Sequence, residues 1–213
     1  MRRQLAYSVL RPGGFAPLQR ILQEQGPALR ASLEREGVQT FSVFAAEAEV
    51  CLYYETAGGD YTFEWGPEAD EWLEAWPGKD AGLTAVPMID IFHDGVPEDP
   101  QSWRGGRTVE KRVGSVAMLK PEQFASYVFY HYQLQEEKPE GFNKTYIIGS
   151  FGTLLFSYQE LPAAVSGTPR KGLLDTSNTP DNWHSTMEPH FVPWENAESG
   201  QELWRPMELI FSF

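Results

Sequence analysis

The sequence predicts an α+β protein built from two βαββαβ halves, each carrying one antiparallel sheet. Three observations predict it. The order strand, helix, strand, strand, helix, strand can be read twice along the chain. The closing strands of the two readings echo each other: Val86-Pro87-Met88-Ile89-Asp90-Ile91-Phe92 matches Arg205-Pro206-Met207-Glu208-Leu209-Ile210-Phe211. Between the two readings lies a polar stretch, residues 94–106, broken by proline and glycine. The expected division is residues 1–93, a linker over 94–110, and residues 111–213. A four-stranded sheet with both helices on one face leaves its other face open. The two halves are expected to bury those faces against each other, as a barrel-like pseudo-dimer. Two independent domains that each pair in an oligomer satisfy the same constraint.

The first half opens with a strand in which Leu5, Tyr7 and Val9 alternate with Ala6, Ser8 and Leu10. A turn with Pro12, Gly13 and Gly14 follows. Phe15, Leu18, Leu22, Leu29 and Leu33 then recur at helical spacing, which predicts a helix over 15–36. Pro27 predicts a kink or a split in it. Gly37 is placed to end it. Strands are expected over 40–44 and 50–55, joined by a turn at Glu47 to Glu49. A short helix is expected over 68–76, with Trp72 and Trp76 on one face, and a closing strand over 86–92.

The second half repeats this order. A strand over 112–119 leads to Pro121, which suits a first helical position. Strands over 143–148 and 153–158 are joined around Gly149 and Gly152. Residues 161–180 and 189–200 read as irregular loops on either side of a short helix carrying Trp183 and Met187. The last strand spans 207–213, with Met207, Leu209, Phe211 and Phe213 expected on one face.

The chemistry-bearing stretch is residues 124–135, FASYVFYHYQLQ. Spacing of four puts Tyr127 and His131 on one helical face. A phenol and an imidazole are thereby aimed into the same apolar space, and imidazole exchanges protons near neutral pH with little tuning. The plainer reading of the same residues is an aromatic face with a satisfied core histidine.

Composition limits the partners. The chain has 213 residues, 41% of them hydrophobic, so one large domain or two small ones can bury a core. Seven Trp, nine Tyr and thirteen Phe are a heavy aromatic load, of the kind that fills cores and lines apolar or sugar-binding clefts. The formal net charge of −13, with no basic block to offset it, repels phosphate backbones and argues against nucleic acid. The single cysteine, Cys51, forms no intramolecular disulfide, which suits a reducing compartment. It reads as an inert buried thiol rather than a nucleophile. No run of about 18 apolar residues is present, so no membrane span is expected, and the cytoplasm is the default location. His184, Glu188 and His190 match no strong metal-ligand spacing. The glycine-bearing turns match no phosphate-binding pattern.

The two-fold pattern resembles the L-rhamnose mutarotase family, small α/β-barrel dimers of ferredoxin-like topology. The resemblance rests on Tyr127 and His131 four apart on a first helix, on Trp183-His184-Ser185-Thr186-Met187, and on the terminal Glu208-Leu209-Ile210-Phe211. His184 stands where the family carries a second tryptophan. Pro27 fits the proline that follows the family histidine, and Pro139 is a looser counterpart. In the first half, Leu18 and Leu22 stand where Tyr127 and His131 stand in the second, and Trp72 looks like the tryptophan position. The first half is therefore expected to be a support without a polar site.

The resemblance implies an intramolecular dimeric α/β-barrel in tandem duplication. It also implies an isomerase of carbohydrate metabolism, one that interconverts the α and β anomers of a small monosaccharide without metal, nucleotide or other cofactor. His131 would be the principal acid/base, Tyr127 would relay a proton or hold a hydroxyl, Trp183 would lie against the sugar and His184 would add a polar contact. The expected partner is a small sugar, and the expected state is a monomer or a homodimer. The alternative is a non-catalytic small-molecule-binding or structural α/β-barrel protein. Related barrels use haem, and His131 would then be an axial ligand, but nothing in the sequence marks it as one.

Overall fold

Two antiparallel sheets carry the chain. In chain order the elements are β1 (Arg2–Val9), α1 (Phe15–Arg35), β2 (Val38–Ala46), β3 (Glu49–Thr56), α2 (Pro67–Asp70), β4 (Val86–Pro87), β5 (Ile89–His93), α3 (Pro100–Arg104), β6 (Lys111–Leu119), α4 (Phe124–Glu137), β7 (Ile147–Phe151), β8 (Leu154–Leu161), α5 (Trp183–Met187), β9 (Phe191–Val192), β10 (Arg205–Pro206) and β11 (Glu208–Ser212). The computed structural model describes residues 1–58, 61–76, 82–98, 100–165, 167–168 and 170–213. Asp99, Ser166 and Pro169, which fall in the linker and the first irregular loop read from the sequence, lie outside the described residues.

The chain divides into two compact units. One comprises Met1–Met88, Pro97–Arg107 and Met207–Phe213; the other comprises Ile89–Val96 and Thr108–Pro206. The partition into 1–93, 94–110 and 111–213 follows sequence order, whereas these units do not. Each closing strand is broken at a methionine. Val86–Pro87 pairs with β1, and after Met88 the strand continues as β5 beside β7. Arg205–Pro206 pairs with β6, and after Met207 the strand continues as β11 beside β2.

In the first unit the sheet order is β11-β2-β3-β1-β4. Helix α1 buries Leu18, Leu22, Gly26 and Leu33. These join Ala6, Phe41, Val43, Ala45, Val50 and Leu52 in one core. Each fully buried leucine contributes about 1.5–3 kcal/mol relative to exposure. Pro27 lies inside one continuous helix, because apolar anchors on both sides of it, Leu22 and Leu33, hold the same face to the core. At Gly26 a Cβ would come within 2.8 Å of the Phe211 ring, so any larger residue there would have to displace that ring. Gly37 has a φ of 84° and donates its N–H to Glu34 O, closing the helix as its position predicts.

The helix expected over 68–76 ends at Asp70 instead. Glu74 N–H bonds to Val9 O and Leu73 bridges Leu10, so the chain is drawn out as an extension of β1. Trp72 and Trp76 are therefore not neighbours on one helix. Alternation along the last strand also fails. A register shift between Leu209 and Phe211 turns Ile210, Phe211 and Phe213 all toward the core and leaves Leu209 exposed.

The stretch read as a linker contains a helix, α3, because its side chains have a fixed destination. Glu55 on β3 is fully buried. Arg104 grips its carboxylate with two bonds of 2.6 and 3.0 Å, and Trp103 donates to it at 3.0 Å. Tyr53 donates to the same carboxylate and accepts from Arg3 at 3.0 Å.

In the second unit the order is β10-β6-β8-β7-β5, with β9 also on β6. The cross-strand register of the first unit recurs here. Arg3 faces Glu55 in one sheet, and Arg112 faces Glu160 in the other. Tyr158 donates to Glu160 at 3.0 Å, as Tyr53 does to Glu55. No helix among the described residues is long and apolar enough to cross a membrane.

Truncating the buried carboxylate should expose this dependence. Glu55→Ala removes the buried carboxylate on which Arg104, Trp103 and Tyr53 converge and should cost about 3 kcal/mol of stability in urea unfolding. A loss below about 1 kcal/mol would show that the Glu55 cluster carries little of the first unit's stability.

Candidate functional site

Helix α4 begins after a turn of 3₁₀ helix at Pro121–Gln123 and buries Tyr127 and His131 on one face. Spacing of four places the two rings together, with centroids 3.9 Å apart. Phe92 on β5 and Trp183 at the start of α5 meet His131 edge-on, at 5.5 and 4.9 Å. These groups line a cavity of about 510 Å³. Phe142, Tyr146, Met187, Phe191 and Trp204 also line it. All of its walls belong to the second unit.

Several local bonds set these positions. Lys120 donates its N–H to His190 O and its Nζ to Pro189 O, which ties the entry to α4 to the turn after α5. Asn182 caps α5 through Ser185 N–H and so fixes the turn that carries Trp183. The loop before it is held to the end of α4 by Glu137, which accepts from the hydroxyls of Thr176 and Thr179 at 2.5 Å. Those two hydroxyls hold the Glu137 carboxyl down at about 2.

The electrostatics of the pair follow from enclosure. His131 is 4% exposed. Burial disfavours its cationic form and lowers its pKa to about 4, against the opposing pull of its bond to Tyr127 O. A carbonyl oxygen only accepts, so the 2.9 Å contact between Nδ1 and Tyr127 O places the proton on Nδ1. In the neutral ring Nε2 is then the lone-pair nitrogen. Burial likewise pushes the Tyr127 phenol well above its ordinary value, which keeps it protonated as a donor. At neutral pH the cavity thus presents a neutral acceptor and a neutral donor side by side.

Of the residues singled out in the sequence, His131, Tyr127, Trp183 and His184 all line this cavity. His184 is on an exposed turn at its edge. His190 is buried and fully engaged: Nδ1 donates to Met187 O at 3.2 Å, and Nε2 accepts from Ser126 Oγ at 2.9 Å. Among the described residues, no group of three or more His, Cys, Asp or Glu is arranged to hold a metal ion. Cys51 is buried in the first unit, and burial raises its thiol well above the ordinary value. Sequence reasoning missed Phe92, Phe142, Tyr146 and Trp204, and weighed Glu188 only as a weak metal-ligand candidate beside His184 and His190. Phe92 alone carried a signal, because it ends the echoed strand.

The first unit has a smaller space at residues of corresponding spacing. Leu10 bridges Leu73, and Leu119 pairs with Phe191. Counted from these pairs, Leu18 and Leu22 match Tyr127 and His131, and Trp65 matches Trp183. Trp65 stands at the same spacing before Leu73 as Trp183 does before Phe191. It donates to Ser8 Oγ at 2.9 Å. The cavity beside Leu22, Phe63 and Trp65 measures about 120 Å³.

Comparison with protein-family models returns no match for this chain, and a search of the curated proteins returns none either.

The lowered His131 pKa has a consequence for stability. The unfolded chain takes up the imidazole proton near pH 6.5, whereas the folded chain resists until about 4. Its contribution is complete above about 6.5 and drains away as pH falls through that window, by on the order of 3 kcal/mol. His131→Leu, which copies Leu22, should remove this loss. Urea unfolding of both proteins at about pH 7.5 and pH 4.5 measures it. Parallel losses in both would assign the acid sensitivity to other groups.

Proposed function

We propose that the protein is a mutarotase-like isomerase that exchanges the α and β anomers of a small monosaccharide in the cavity of the second unit. The observation that carries the reading is the joint placement of His131, Tyr127 and Trp183 on one cavity, with the Nδ1 proton already committed. A hemiacetal needs a base at its anomeric hydroxyl and an acid at its ring oxygen. His131 Nε2 takes the proton of the anomeric hydroxyl. The bond from C1 to the ring oxygen breaks, its electron pair goes to that oxygen, and the oxygen takes the Tyr127 proton. The product is the open-chain aldehyde. Rotation about C1–C2 presents the opposite face, and the same transfers run backwards to close the ring.

The imidazolium and phenolate formed on the way are each costly in a buried site. They form as neighbours of opposite charge, and each offsets the other's desolvation. Trp183 supplies a flat apolar surface for the C–H face of the ring. No step calls for a cofactor.

The fold is read with it as two ferredoxin-like halves in tandem, forming an intramolecular dimeric α/β-barrel of the L-rhamnose mutarotase kind. The repeated element order, the recurrent Arg–Glu register and the paired strand breaks at Met88 and Met207 support that reading. Leu18 and Leu22 make the first unit a support without a site of its own. A cytoplasmic location suits the single buried thiol.

A second reading has one observation in its favour. The cavity wall is mainly aromatic and aliphatic, and His131 is enclosed, as expected of a protein that binds a ligand without transforming it.

NMR exchange between anomers separates the two. Rhamnose, fucose, galactose and glucose form the test panel. Protein-dependent exchange is expected, falling roughly 10²-fold or more in His131→Ala. It should hold level from about pH 8 to 5 and decline only toward pH 4, because the active imidazole is the neutral one. No acceleration with any sugar would leave the binding reading. A decline centred on about pH 6.5 would place the active base elsewhere.

A further inference from the structure

The cavity's charge pattern points beyond a generic sugar. Seven aromatic side chains line it, among them Phe92, Tyr146, Trp183 and Trp204. Glu188 is the single carboxylate in that lining, and no lysine or arginine takes part among the described residues. The two imidazoles there are His131, which is neutral at pH 7, and His184 at the edge. Aromatic faces present negative potential and attract cations, the more so where water is excluded. A carboxylate in the same lining supplies the opposite charge an ammonium group needs. An anionic ligand would find no lysine or arginine in that lining to offset its lost hydration. The chain's net charge of −13 repels anions and draws cations before contact.

We infer that the cavity selects a positively charged substrate, an amino sugar whose ammonium rests between Glu188 and the aromatic walls. The inference rests on the proposed reading of the cavity as a monosaccharide site. Glu188 acts here as a specificity residue and takes no part in ring opening. It stands five residues after Trp183, on the turn that follows α5, so the sugar face and the ammonium are held by one short segment. The sugar's hydroxyl-bearing carbon C1 remains for His131 and Tyr127.

The test is equilibrium binding followed by saturation-transfer NMR competition, at low salt and about pH 6.5, with galactosamine, galactose and galacturonate. Galactosamine should bind several-fold to about tenfold tighter than galactose, the scale of one exposed ion pair with a cation–π contact, and galacturonate should bind weakest. Glu188→Gln should bring galactosamine to within about twofold of galactose. Glu188→Asp, which keeps the charge, should retain most of the preference. Glu188 is exposed, so neither change threatens the fold.

Equal binding of galactosamine and galactose by the unaltered protein would overturn the inference. So would a preference that survives Glu188→Gln, or no binding of any of the three. Preferential galactosamine binding without anomer exchange would instead refute the isomerase reading and leave the ammonium site standing. Exchange on neutral sugars with no galactosamine preference would do the reverse.

Discussion

An imidazole enclosed by a phenol, an indole and a phenyl ring keeps one polar outlet inside its own helix. The bond from His131 Nδ1 to Tyr127 O uses that outlet, and the character of the cavity depends on it. It fixes the tautomer and the ring plane, and it leaves the lone pair on Nε2. A buried imidazole with no such bond would cost on the order of 1–3 kcal/mol for an unmet polar group. In the first unit Leu22 has no polar group to satisfy, and only a small cavity remains beside it, Phe63 and Trp65.

The walls hold this arrangement because they come from separate elements pinned by separate bonds. Helix α4 supplies the pair, β5 supplies Phe92, and the α5 turn supplies Trp183 and Glu188. Lys120 ties the entry of α4 to the turn after α5, and Glu137 ties its end to the preceding loop. Rigid support of this kind is what positions proton donors and acceptors before a ligand arrives. Burial then exacts a cost in basicity. A base held near pKa 4 is weak, so the proposed ring opening relies on a phenol donor next to it rather than on a strongly proton-hungry imidazole.

Much of the local pattern was legible in the sequence. Tyr127 and His131 share a face because a helix repeats every 3.6 residues, and that follows from spacing alone. Gly37 ends its helix because its backbone must go left-handed there. What failed was decided by long-range pairing. Residues 71–76 left the helix to extend β1, and the linker folded because Trp103 and Arg104 had Glu55 to reach. The strand breaks at Met88 and Met207 look continuous in sequence, since β-propensity does not say which sheet a strand joins. The Tyr-x-Glu pattern at Tyr53 and Tyr158 was available and went unread. Trp204, Phe142 and Tyr146 come from loops with no periodicity, so only the folded chain gathers them at one cavity.

The central claim is that His131 is neutral, carries its proton on Nδ1 and offers Nε2 to a ligand. Long-range ¹⁵N–¹H correlation NMR of histidine-labelled protein reads this directly. At pH 7 the account predicts a protonated Nδ1 and a lone-pair Nε2 for His131, titration only near about 4, and a shift of Nε2 when a binding sugar is added. A proton on Nε2 at pH 7, or an imidazolium titrating near its ordinary 6.5, would contradict it.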